Sequence, residues 1–69
     1  MTCLIDSFEK AKDFVTTANA CEGDINVQQG HFVVDGKSIV GVLSLNLTKE
    51  ISVQCVNREE QALFEKYGA

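Results

Sequence analysis

The chain has 69 residues, 45% of them hydrophobic and 23% charged, with no Trp, no Pro and a formal net charge of −4. That length holds one domain, residues 1–69, and leaves no room for a second. Ten acids against six bases, with the bases unclustered, exclude a general nucleic-acid surface, and the spread of Leu, Ile, Val and Phe along the chain excludes disorder.

So short a chain buries only ~60% of the surface that it exposes when unfolded, so its stability should be modest. No apolar run reaches the length of a membrane span, and no membrane partner is expected. Met1 to Ile5 runs straight into Asp6 without a basic start, which points to a cytoplasmic protein rather than a secreted one. Cys3, Cys21 and Cys55 cannot all pair within one chain, so three reduced thiols are expected. Cys21 and Cys55 read as small core residues, and Cys3, near the chain start, as the most reactive.

Asp6 opens the first predicted helix, with Glu9 at the spacing of a capping box. Phe8, Ala11, Phe14, Val15 and Ala18 then recur at helical spacing, and Gly23 marks the break. Asp24 to Gln29 alternates, with Ile25 and Val27 on one face, and reads as a half-buried strand. Gln29-Gly30-His31 turns the chain into a second strand at Phe32-Val33-Val34, and together they make a hairpin. Ser38 caps a second helix whose stripe is Ile39, Val42, Leu43 and Leu47, with Val40 and Ser44 off the stripe and exposed. Glu50 to Val56 alternates strictly, with Ile51, Val53 and Cys55 facing the core. Asn57-Arg58-Glu59-Glu60 reads as another capping box, opening a last helix with Ala62, Leu63, Phe64 and Tyr67. Helices mixed with antiparallel strands in this order imply an α+β fold, with the helices on one face of a small sheet.

Few residues carry chemistry. Gly36-Lys37-Ser38 resembles the tail of a phosphate loop, but that loop needs a glycine where His31 stands. His31 is the single histidine and falls in a hairpin turn, so no Ser-His-Asp or Cys-His arrangement can be assembled around it. The cysteines lack metal-ligand spacing, and neither a metal nor a cofactor is expected. Ser38 has two compatible readings. One is a plain helix cap worth ~1 kcal/mol. The other is a phosphorylation site, where phosphate would meet free N–H groups at a helix start beside Lys37. Nothing in this inventory makes an active site, so the chain is expected not to be an enzyme.

From Phe8 to Tyr67 the chain resembles HPr, the histidine-containing phosphocarrier protein of the bacterial sugar phosphotransferase system. The specific segment is Asp35-Gly36-Lys37-Ser38-Ile39-Val40-Gly41-Val42-Leu43-Ser44-Leu45, with weaker support from Ala11, Phe14, Val15 and Ala18, from Asp24 to Val27 and from Ile51 to Val53. The resemblance implies an open-faced β-sandwich of order βαββαβα, here with the first strand missing. In that family a histidine at the start of the first helix carries phosphate; the matching position is Ser7. The neighbouring arginine is matched by Glu9 and the proline by Lys10. A serine cannot form the labile phosphoimidazole, so relay should be absent.

The resemblance also implies that Ser38 is the target of a dedicated serine kinase. The partner surface would then be Lys37, Ile39, Val40 and Leu43, docking a transcription regulator or a phosphotransferase-system component. The expected function is therefore a non-catalytic regulatory or adaptor protein. The alternatives are an atypical phosphocarrier using His31, or a degenerate paralogue that only dimerises or binds protein. Without a first strand, the strand at 50–56 becomes a sheet edge, which either pairs with a second copy as a homodimer or is partly covered by Met1 to Ile5.

Overall fold

The computed structural model describes all residues, Met1–Ala69. Helix α1 spans Phe8–Ala20 and buries Ala11, Phe14, Val15 and Ala18, the stripe expected from helical periodicity. Phe8, the first member of that stripe, is instead exposed, with the Lys12 ammonium over its ring. The cap of α1 is Ser7 rather than Asp6: its Oγ accepts from the Lys10 N–H at 3.1 Å. Asp6 is drawn to the Lys10 ammonium at 3.0 Å, so its carboxylate does not serve the cap.

Strands β2 (Ile25–Gln29) and β3 (Phe32–Asp35) pair antiparallel, with Val27 opposite Val34 and Gln29 opposite Phe32. Gly30 takes a φ of 60° at the first central position of this two-residue turn, a conformation that glycine adopts freely. Strand β4 (Ile51–Cys55) lies on the other side of β2. Ile25, Val27, Ile51 and Val53 thus form one buried face, roofed by α1 and by a C-terminal 3-10 helix over Arg58–Tyr67. Phe14 joins the roof halves, its ring 5.0 Å from that of Phe64 and 5.4 Å from that of Tyr67.

The first strand is present, contrary to the expectation, as a two-residue β1 (Thr2–Cys3). The sheet order is β1-β4-β2-β3, antiparallel throughout. Val53 N–H donates to Met1 O, and the Met1 amino group donates to Val53 O, each at 2.8 Å. On its outer side β1 meets the chain end: Ala69 N–H donates to Thr2 O and Leu4 N–H to Tyr67 O. The strand at 50–56 is therefore interior, with Met1 to Cys3 on one side and β2 on the other. Direct edge-to-edge pairing of two such strands has no free ladder over residues 51–53.

Two further expectations are corrected. Cys3 is fully buried, and burial pushes its thiol up from its ordinary value, so it is the opposite of a reactive thiol. Cys21 is buried and Cys55 half-buried, as the pattern implied. The last capping box does not form. Asn57 makes no side-chain cap, and Glu60 turns away to accept from the N–H groups of Glu22 (2.8 Å) and Gly23 (3.0 Å). These two bonds tie the last helix to the α1–β2 loop and hold the Glu60 carboxyl below the ordinary carboxylate range. Of the residues assigned to that helix, Phe64 and Tyr67 are core, whereas Leu63 is half exposed.

Candidate functional site

Ser38 follows β3 after a two-residue turn whose geometry is tightly determined. Gly36 is buried; its N–H donates to Ile25 O at 2.7 Å, and a Cβ there would stand 2.7 Å from Ile25 Cγ2. Only glycine lets the chain pass this close to β2. Asp35 then closes the turn twice, its Oδ1 accepting from Lys37 N–H (2.9 Å) and its carbonyl from Ser38 N–H (3.0 Å). Ser38 itself is extended (φ −105°, ψ 116°) and half-buried, and its Oγ accepts from Gly41 N–H at 3.1 Å. It is the N-cap that the sequence implied, in a helix α2 of only five residues, Ile39–Leu43.

Lys37 lies beside Ser38 in sequence, but its ammonium is directed elsewhere. Nζ donates to the carbonyl of Cys21, the residue that ends α1, at 3.0 Å. A cation at the carbonyl end of a helix is electrostatically favourable, which accounts for the placement. A phosphate on Ser38 would have to compete with that carbonyl for the Lys37 charge.

The apolar residues of the segment divide sharply. Val42 is fully buried, whereas Val40 is 77% and Leu43 38% exposed; Ile39 is half-buried against the core. Val40 is thus the outward member of the patch, as its helical phase required. Leu47 falls past the end of α2 yet still packs against the core, and Leu45 is buried as well. Helix α2 lies against α1 and β3, with Gly41 over Val34. Sequence reasoning missed that Phe32 (71%) and Val33 (62%) on β3 are also exposed. The signal was available: consecutive apolar residues in a short strand cannot all face one core. It also missed Gln29, whose amide clasps the far end of the α2 segment by accepting from Asn46 N–H and donating to Asn46 O, both at 2.8 Å.

The positions matched to the phosphocarrier machinery make no comparable site. Ser7 and Glu9 are exposed at the start of α1, among the Asp6 and Lys10 charges. His31 is exposed on the β2–β3 turn and shares no element with Ser7. No group of three or more His, Cys, Asp or Glu side chains gathers in a way that could hold a metal ion. The surface has one concavity, lined by Thr2, Gln28, Gly30, Glu50, Ile51 and Ser52, and it includes none of the residues around Ser38. No helix is long and apolar enough to cross a membrane.

The chain is similar to Crh, the catabolite repression containing protein of Bacillus subtilis, with a TM-score of 0.69 and 29% identity over 96% of this chain and 76% of that one. The crystal structure of Crh is described as a dimer with a swapped domain. No curated protein matches. A family model described as the phosphorylation site of the HPr component of the phosphotransferase system matches residues 8–68, and the chain belongs to that HPr family.

Proposed function

We propose that this protein is a regulatory or adaptor member of the HPr family that acts through Ser38 and α2 and carries no phosphate on histidine. The observation that carries the reading is the pairing of an extended, half-buried Ser38 with the exposed Val40 and Leu43 on the helix it caps. Phosphate added at Ser38 would change the charge at the edge of an apolar docking patch, so a partner could sense it directly. Lys37, Ile39, Val40 and Leu43 form the partner surface, with Val40 the principal contact. The kinase is the family's serine kinase, and the partner is a transcription regulator or a phosphotransferase-system component. The likeness to a protein of catabolite repression supports the regulatory side of this reading. Ser7 and Glu9 in place of histidine and arginine argue against relay, since a serine phosphoester is too stable to pass its phosphate on.

The test is incubation of the purified protein with ATP and the HPr serine kinase, followed by intact-mass and site analysis. One acid-stable phosphate, absent from Ser38→Ala, is the expected result. No label on Ser38, or acid-labile label on His31, overturns the reading.

A second reading, a homodimer through the strand at 50–56, is favoured by one observation. Only Met1 to Cys3 cover the outer side of β4, through the pairs Thr2–Ser52 and Cys3–Ile51 and the Met1–Val53 bonds. Exchange of this short segment between copies would keep every one of those bonds while linking two chains, and the related Crh forms a swapped dimer. Sedimentation across a concentration series is expected to show a dimer that separates slowly on dilution. A monomer at every concentration removes this reading.

A further inference from the structure

From its contacts we infer that Asn19 is a positioning residue for Ser38, an inference that rests on the Ser38 reading above. Asn19 stands in the last turn of α1, eighteen places from Lys37 in sequence. Its side-chain Nδ2 donates to two carbonyls, that of Val15 in its own helix (2.8 Å) and that of Lys37 (3.0 Å). The Lys37 carbonyl and the Ser38 N–H belong to one peptide plane. The N–H end of that plane is bonded to Asp35 O at 3.0 Å. The plane that leads into Ser38 is thus held at both ends, by β3 on one side and by Asn19 on the other. Lys37 returns the contact by donating from Nζ to Cys21 O at 3.0 Å, so two reciprocal bonds join the end of α1 to the segment that presents Ser38.

The consequence is conformational selection avoided in advance. A phosphoacceptor segment that samples several orientations reacts only from the competent one, and its apparent affinity falls by the competent fraction. Asn19 removes one of the two restraints on that plane when it is truncated, while Ala in its place is a better helix former at an exposed site. A purely structural role and a positioning role therefore predict different results. One hydrogen bond of ordinary net strength corresponds to a factor of about five. In Asn19→Ala exchange of the Ser38 amide hydrogen should quicken about fivefold, and the KM for this protein as substrate of the HPr serine kinase should rise by a smaller factor at unchanged kcat, because only the competent fraction, not the full equilibrium, enters the apparent affinity.

The control is Gln29→Ala, which removes the clasp on Asn46 at the other end of the α2 segment. That variant should lose stability but leave the KM and the Ser38 amide unchanged. Wild-type KM and wild-type Ser38 exchange in Asn19→Ala, or an equal rise of KM in Gln29→Ala, would overturn the inference alone. A wild-type protein unlabelled at Ser38 would instead overturn the Ser38 reading, and the inference with it.

Discussion

The two serine-capped helix starts of this molecule share one geometry and differ in everything around it. At both Ser7 and Ser38, Oγ accepts from the N–H three residues on, at 3.1 Å. Ser7 is exposed and is surrounded by the charges of Asp6, Glu9 and Lys10. Ser38 is half-buried, reached through a turn pinned by Gly36, Asp35 and Asn19, and followed by the exposed aliphatics Val40 and Leu43. The cap itself is a local consequence of placing a hydroxyl before a helix and says nothing of a partner. The surroundings distinguish the two: at the α1 start no apolar surface is organised beyond the Phe8 ring, whereas at the α2 start the cap and the apolar patch occupy a single short helix.

The largest effect expected from testing this contrast concerns which face of α2 is spare. Val42→Ala empties a fully buried site and should cost about 2 kcal/mol in urea unfolding. Val40→Ala, at 77% exposure, should stay within about 0.5 kcal/mol. A large loss at Val40 would mean that the patch is structural, and the contrast with the α1 start would fail. Next in size come the caps themselves. Ser7→Ala and Ser38→Ala should each cost about 1 kcal/mol by thermal unfolding, and nearly equally, because each removes the same hydrogen bond. A much greater loss at Ser38 would show that its hydroxyl does more than cap.

The smallest effect concerns the ties that hold α1 and the loop after it to the C-terminal helix. The N–H groups of Glu22 and Gly23 hold the Glu60 carboxyl low, and the Tyr67 hydroxyl and Lys66 ammonium do the same for Asp13. A carboxyl depressed in the folded state adds stability above its unfolded value, and that stability is lost as pH falls through the lowered folded value. Stability should therefore begin to fall as pH drops below 4.5, the ordinary value for a glutamate. Glu60→Gln should flatten part of that fall in urea midpoints measured against pH, with no change in how Ser7 or Ser38 behaves. An unaltered slope would show that the Glu60 bonds contribute nothing to the acid response.

Much of the scaffold was legible because it follows from local periodicity. The stripe Ala11, Phe14, Val15 and Ala18 and the alternation of Ile25 with Val27 and of Ile51 with Val53 each encode their own burial, and Gly30 encodes its turn. The Ser38 cap and the exposure of Val40 were legible for the same reason. The errors arose wherever two helix-start candidates compete or a distant donor intervenes. Asp6 and Ser7 both suit a cap; Ser7 makes the cap bond, and Asp6 pairs with the Lys10 side chain instead. Glu60 has the spacing for its own helix start, but two N–H groups far away in sequence claimed it.

By itself, then, the sequence determined the order of elements from α1 onward, most of the buried faces and the resemblance to the family. These depend on the identities of residues close together in the chain. Only the tertiary structure decided that Met1 to Cys3 complete the sheet, that Cys3 is sealed rather than reactive, that Lys37 caps α1, and that Asn19 braces Ser38. Each of those is a contact between residues far apart in sequence, made by hydrogen bonds or burial that no local pattern encodes.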